Sequence, residues 1–137
     1  ICDWILALER LKTKTGDCIS YVAYTSRMIH NSNMLGAAML ATASKLIKDE
    51  KYKKELLKVS KSAMLYSCSR QLDDGAWWYG EEEKFHWIDN FHTGYNLDCL
   101  KRYIEKTGDK DFNENLKKGF FFFLSSIAVL SMKKNNT

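Results

Sequence analysis

The sequence predicts an all-α protein built of antiparallel helical hairpins, with no sheet. Three observations predict it. Apolar residues recur at three-to-four spacing along most of the chain, the period of a buried helix face. Proline is absent from all 137 residues, so no ring interrupts the backbone hydrogen bonds behind those faces. The chain also repeats: Gly16 and Gly75 lie 59 apart (75 − 16), as do His30-Asn31 and Asp89-Asn90 (89 − 30, 90 − 31). A period near 59 that holds two antiparallel helices signals a toroid or solenoid of hairpins, each stabilised by its neighbours. The whole of 1–137 reads as a single domain of about two hairpins.

Taken in order, the chain opens on Ile1 inside a helical pattern. "GDCISYVAYTSRMIHN" is then a connection entering the first inner helix. That helix, Asn33 to Lys48, is apolar on nearly every side and carries Gly36, Ala37, Ala38, Ala41 and Ala43, so neighbouring backbones can come close. Lys51 to Gln71 reads as an outer, half-wet helix: Tyr52, Leu56, Val59, Ala63, Met64 and Tyr66 alternate with Lys and Glu. "GAWWYGEEEKFHWIDN" is a second connection of the same length, leading into the inner helix Asn90 to Lys106. Asp111 to about Ser126 is the second outer helix, and "KDE" and "TGD" are the tight inner-to-outer turns. The helices align only with small insertions, Leu40 with Leu97 at 57 (97 − 40) and Tyr52 with Phe112 at 60 (112 − 52).

Composition excludes several functions. A net charge of +4 and an isoelectric point near 8.8 are too mild for a nucleic-acid footprint. The lysines from Lys51 to Lys61 sit at helical spacing and read as a solvated face. The longest apolar stretch, "GFFFFLSSIAVLSM" at 119–132, is short of the roughly 20 residues a membrane span needs. Cys2, Cys18, Cys68 and Cys99 are dispersed, without metal-ligand spacing. With no secretory signal visible at the start, they read as free thiols of a cytoplasmic protein. No metal and no cofactor is expected.

"QLDDGAW" at 71–77 fits Q-x3-G-x-W, the core of the terpenoid-cyclase repeat motif. "DGAWWYG…HWIDNFHTGYNLDCLKRYIEKTGDKDF" and "IHNSNMLGAAMLA" resemble an α/α-toroid family associated with bacterial and archaeal polysaccharide biosynthesis. That family is similar to the terpenoid-cyclase and prenyltransferase toroids and, more distantly, to six-hairpin glycosidases. The resemblance covers roughly residues 3 to 118 and implies an incomplete α/α toroid, since a full ring uses more hairpins than this chain supplies. It implies a carbohydrate-binding or carbohydrate-active protein, with Gln71, Gly75 and Trp77 in structural roles. The cyclase Asp-x-Asp-Asp motif is missing, because Gln71 stands where its first Asp would be. The prenyltransferase zinc pattern is unmatched as well, Asp98 and Cys99 being adjacent.

The second connection concentrates three Trp, two Tyr and two His within residues 74–95. Flat rings cover the apolar faces of pyranoses while carboxylates and amides take hydroxyls, so Trp78, Tyr79, His86 and Trp87 are candidate sugar contacts. His30, Asn31, Asn33 and Asn90 join them at the inner-helix N-termini, where helix dipoles add positive potential. Asn31 and Asn90 are also expected helix caps, Asp89 reads equally as a cap or first-turn acid, and His92 is expected as a hydrogen-bonded core residue. Asp89 and His92 are the candidate catalytic groups: His92 as a base, Asp89 as one of a carboxylate pair with Glu81, Glu82 or Glu83. A peptide- or protein-binding toroid module is the alternative, favoured by the lack of a definite catalytic motif. Terpenoid or prenyl chemistry ranks last. Inner faces left open (Met34, Ala38, Ala41, Phe91, Tyr95, and Phe120 to Phe123) lead to an expected homo-oligomer.

Overall fold

The computed structural model describes residues 1–25 and 27–134. Five α-helices carry the fold: α1 (Cys2–Ala7), α2 (His30–Ser44), α3 (Glu50–Cys68), α4 (Asn90–Thr107) and α5 (Asn113–Lys134). Two strands, β1 (Arg10–Thr13) and β2 (Gly16–Ile19), pair antiparallel with Arg10 opposite Ile19 and Thr13 opposite Gly16. The protein is therefore mostly helical, but the expectation of no sheet is wrong. Gly16, at φ +100°, closes the hairpin turn, and a Cβ there would lie 2.3 Å from the Ser62 carbonyl of α3. The hairpin is held by long-range contacts: Ser62 Oγ accepts from Asp17 N, and Asn33 Oδ1 accepts from Ile19 N.

α2 and α3 form an antiparallel hairpin. Asn33 Nδ2 donates to the Ala63 carbonyl and Ser60 Oγ to the Ala37 carbonyl, so positions advancing along α2 meet positions receding along α3. The small residues Ala37, Ala38 and Ala41 permit this closeness and are fully enclosed with Met34 and Leu40. Met34, Ala38 and Ala41 are thus covered by the chain itself, against the expectation that they stand open. Across the interface Leu56, Ala63 and Met64 are buried to completion, each large side chain contributing about 1.5–3 kcal/mol.

α4 and α5 repeat the arrangement. Gly94 faces Phe123, Leu97 faces Gly119, and the Tyr103 and Phe112 rings meet edge-on at 5.6 Å. α4 packs along α2, and its Leu97, Cys99 and Leu100 are buried.

Both helix pairs start cleanly, one residue or more before the asparagines expected to cap them. Asp49 and Asp89 cap α3 and α4 by accepting from Tyr52 N and His92 N. α2 begins at Ile29 without a side-chain cap, and its first N–H, that of His30, is taken by the Tyr79 carbonyl at 3.0 Å. Asn31 and Asn90 therefore lie inside their helices. α4 ends at Gly108, φ +74°, whose N–H returns to the Ile104 carbonyl.

Candidate functional site

The segment between α3 and α4 is fixed at its root before it opens to solvent. Gln71 Nε2 donates to the Gly75 and Asn115 carbonyls, both at 2.9 Å, tying the turn to α5. Gly75, at φ +94°, lies where a Cβ would come within 2.3 Å of the Lys118 carbonyl. Trp77 is 2 % exposed, lies over Gly119, and donates from Nε1 to the Ser67 carbonyl. The Q-x3-G-x-W residues thus lock the end of α3 onto α5.

Beyond Trp77 the chain makes a narrow loop with a one-turn 3-10 helix at Glu83–Phe85. Tyr79 N donates to the Trp87 carbonyl on one side, while Glu81 N donates to the Met28 carbonyl on the other. Gly80 bridges Ile29, whose side chain leaves no room for a Cβ at Gly80. The rings then stack in pairs: Trp78 on His86 at 3.7 Å and 16°, Tyr79 on Trp87 at 4.4 Å and 13°. Each pair is a flat block, with Trp78 and Trp87 partly open to solvent at 37 % and 41 %.

Tyr79 also places α2 and α4. Its carbonyl holds the first N–H of α2, and its ring meets His92 of α4 edge-on at 4.7 Å. Both helices therefore start at the aromatic loop and run side by side in one direction. His92 is surrounded by ring edges and faces of Tyr79, Trp87 and Phe91. Its Nδ1 lies 2.7 Å from Asp89 Oδ2, while Asp89 Oδ1 accepts the His92 backbone N–H. Burial alone would raise the Asp89 carboxyl; the two His92 hydrogen bonds outweigh it and hold the group below its ordinary value. An ionised carboxylate can only accept, so Nδ1 carries the proton. In neutral His92 the lone pair then belongs to Nε2, which can accept a proton or a ligand hydroxyl.

His30 belongs to a different construction. It is 2 % exposed, with Nδ1 3.0 Å from Ser67 Oγ and Nε2 2.8 Å from Glu81 Oε1. Ser67 Oγ also accepts from Asn33 Nδ2, and Glu81 Oε2 meets Arg70 Nε at 3.4 Å. Burial pushes the Glu81 carboxyl up, but the His30 hydrogen bond and charge, then Arg70, bring it below its ordinary value. Ser67, His30 and Glu81 have the residue types of a nucleophile relay, yet Ser67 is sealed from solvent. The set is an internal strut joining α2, α3 and the loop. Its Cys18 neighbour is equally closed, its thiol pushed up to about 12 by burial and by the Glu81 charge.

The structure therefore divides the candidate residues expected from sequence. Tyr79, Trp87, Asp89 and His92 come together on one lip, with Asn90 at its edge in the first turn of α4, while Trp78 and His86 form a second stack on the same loop. His30 and Asn33 are enclosed, with their polar atoms engaged by protein partners, so they offer a ligand nothing. Asn31 is half-buried, with an Oδ1 that has no partner among the described residues. His92 is half-buried rather than in the core, because Asp89 draws it to the helix start. Glu81 is withdrawn from any acid–base pair by His30 and Arg70, which leaves the exposed Glu82 and Glu83 as the loop's outward acids.

Phe91 and Tyr95, expected from the sequence as open apolar positions and not as ligand contacts, stand exposed beside the lip. Phe91, 67 % exposed, meets the Tyr95 ring edge-on at 4.8 Å. Their i, i+4 spacing on one face of α4 was the available signal. Among the described residues no cluster of His, Cys, Asp and Glu could hold a metal, and no helix is long and apolar enough to cross a membrane. No protein-family model matches the chain, and no curated protein matches it.

Proposed function

We propose that the lip formed by residues 78–95 binds carbohydrate, and that the two helical hairpins are units of an α/α toroid serving polysaccharide assembly. One observation carries this reading: Trp78 and Trp87 each present a partly open ring backed by a stacked partner, and the Trp87 ring lies beside the Asp89–His92 pair. A backed ring loses little freedom when a pyranose covers its other face. The Nε2 of His92, which makes no hydrogen bond among the described residues, suits a sugar hydroxyl and is also the group that would move a proton in any reaction on a bound sugar. The toroid half of the proposal is supported by the equivalence of Gly16 and Gly75. Both have positive φ, and both press backbone onto the helix that closes their own hairpin, α3 and α5.

The test is retention on immobilised polysaccharides of neutral, acidic and amino-sugar type. The protein should be retained on at least one of them, and Trp78→Ala and Trp87→Ala should each lose that retention while keeping helicity and costing only about 1 kcal/mol of stability. Failure to bind any glycan would overturn the carbohydrate reading. A second reading, docking of a peptide or protein segment, is favoured by a groove of about 500 Å³ between α2 and α4 lined by Leu35, Met39, Leu46 and Tyr95. Retention lost in Met39→Asp but kept in Trp87→Ala would favour that groove.

A further inference from the structure

We propose that the cleft between the β1–β2 hairpin and α3 is a binding site for a small phosphorylated, hydroxyl-bearing ligand, separate from the aromatic lip. The sequence supplies the ingredients at matched spacings. Arg10 and Lys12 stand two apart on β1, with Asp17 of β2 directly opposite Lys12. Glu55, Lys58 and Ser62 recur at i, i+3 and i+7 on α3, which sets them on one side of the helix. The two rows face each other across a cleft of about 250 Å³. At a share of ~30 Å³ of liquid per water, that is space for more than a bare phosphate.

Three cations and two carboxylates line this cleft, and none of the five makes an ion pair among the described residues. Lys61, one turn from Lys58 on α3, pairs with both Asp109 and Asp111. The absence of pairs in the cleft is therefore not a general property of this helix. Arg10 adds the more demanding observation: it is half-buried at the cleft wall, and its guanidinium makes no hydrogen bond or ion pair among the described residues. A partly desolvated guanidinium left without an acceptor favours an oxyanion at the edge it turns to the cleft. Its planar fork fits two phosphate oxygens, and Lys12 and Lys58 supply the remaining charge. Asp17 and Glu55 would repel a bare phosphate, but they accept hydrogen bonds from hydroxyls attached to one. That combination selects a phosphate monoester of a polyol or sugar over inorganic phosphate.

The experiment follows backbone amide shifts of the whole chain while a hexose monophosphate, inorganic phosphate and sulfate are added at constant ionic strength. The hexose monophosphate should shift amides of Arg10–Lys12, Asp17 and Lys58–Ser62, and bind more tightly than either inorganic ion. Arg10→Gln and Lys58→Gln should each weaken it by about tenfold, the loss of a single charge-assisted contact. Lys101→Gln, on α4, should change nothing. Lys58 is exposed on a helix, so its variant keeps the fold even if Arg10→Gln loosens the hairpin. No cleft shift at millimolar ligand would overturn the site. Shifts unchanged in Lys58→Gln, or weakened equally in Lys101→Gln, would overturn it as nonspecific charge. Sulfate binding as tightly as the hexose monophosphate would overturn the part assigned to the two carboxylates.

Discussion

Glu81 joins two segments through one carboxylate, His30 at the start of α2 and Arg70 just past α3, while its backbone N–H donates to the Met28 carbonyl ahead of α2. Its folded-state pKa is depressed, so the stability it contributes is present above the ordinary carboxylate range and lost as pH falls through the folded value. Glu81→Gln should therefore lower the unfolding free energy at neutral pH by about 1–2 kcal/mol, after discounting for its partial exposure. The gap from wild type should shrink toward zero in acid. A gap that stays constant between neutral pH and pH 3 would show that the strut does not depend on the charge. The two neighbouring tryptophans should separate just as clearly. Trp77→Ala removes a sealed ring and its bond to Ser67, and should cost about 3–5 kcal/mol. Trp78→Ala, at a half-open ring stacked on His86, should cost about 1 kcal/mol. Chemical denaturation of the pair measures both.

The elements differ in how visible they were. α2 to α5 were legible because their apolar period is long and their turns are short; boundaries moved by a few residues, except that α5 runs to Lys134, eight past the expected end at about Ser126 (134 − 126). Their starts shifted because capping depends on who supplies the acceptor. Asp89, not Asn90, caps α4, and α2 borrows the Tyr79 carbonyl, a long-range partner that local spacing does not reveal. The β1–β2 hairpin was missed for a related reason. Its four-residue strands show little apolar alternation, and their stability comes from α3 and from Asn33. The Thr15-Gly16 turn was the one local signal. At the lip, aromatic content pointed to the right segment, but burial separated His30 from His92, and sequence does not record burial. The glycines make the element-level argument testable. Gly75→Ala combines a positive φ with a Cβ 2.3 Å from the Lys118 carbonyl, and should cost about 3 kcal/mol or more. Gly108→Ala keeps a positive φ but meets nothing within 4 Å, and should cost about 1 kcal/mol. Equal losses at the two sites would mean that close approach to α5 is not what demands Gly75.

Across the molecule, the two hairpins mate through faces that recur, and recurrence leaves a face unmated at each side. α2 keeps Leu35 and Met39 exposed, with Leu46 just past its end, beside Tyr95 of α4 and over the groove between the two helices. α5 keeps Phe120, Phe121, Leu124 and Ile127 exposed, at spacings that form one apolar strip. A soluble monomer rarely leaves more than a few hundred Å² of contiguous apolar surface open. Covering such a strip stabilises by about 25 cal/mol per Å² before the entropy of association is subtracted. Self-association is the expected result, and a two-fold contact is the geometry that closes on itself. Sedimentation at micromolar concentration should find assemblies heavier than the 15.9 kDa chain. Phe121→Asp with Leu124→Asp should return the protein to monomer with its helicity intact, since neither side chain supports the core. A clean monomer from the unaltered chain, binding no apolar dye, would show that these strips are tolerated in water and that the hairpin pair needs no neighbour.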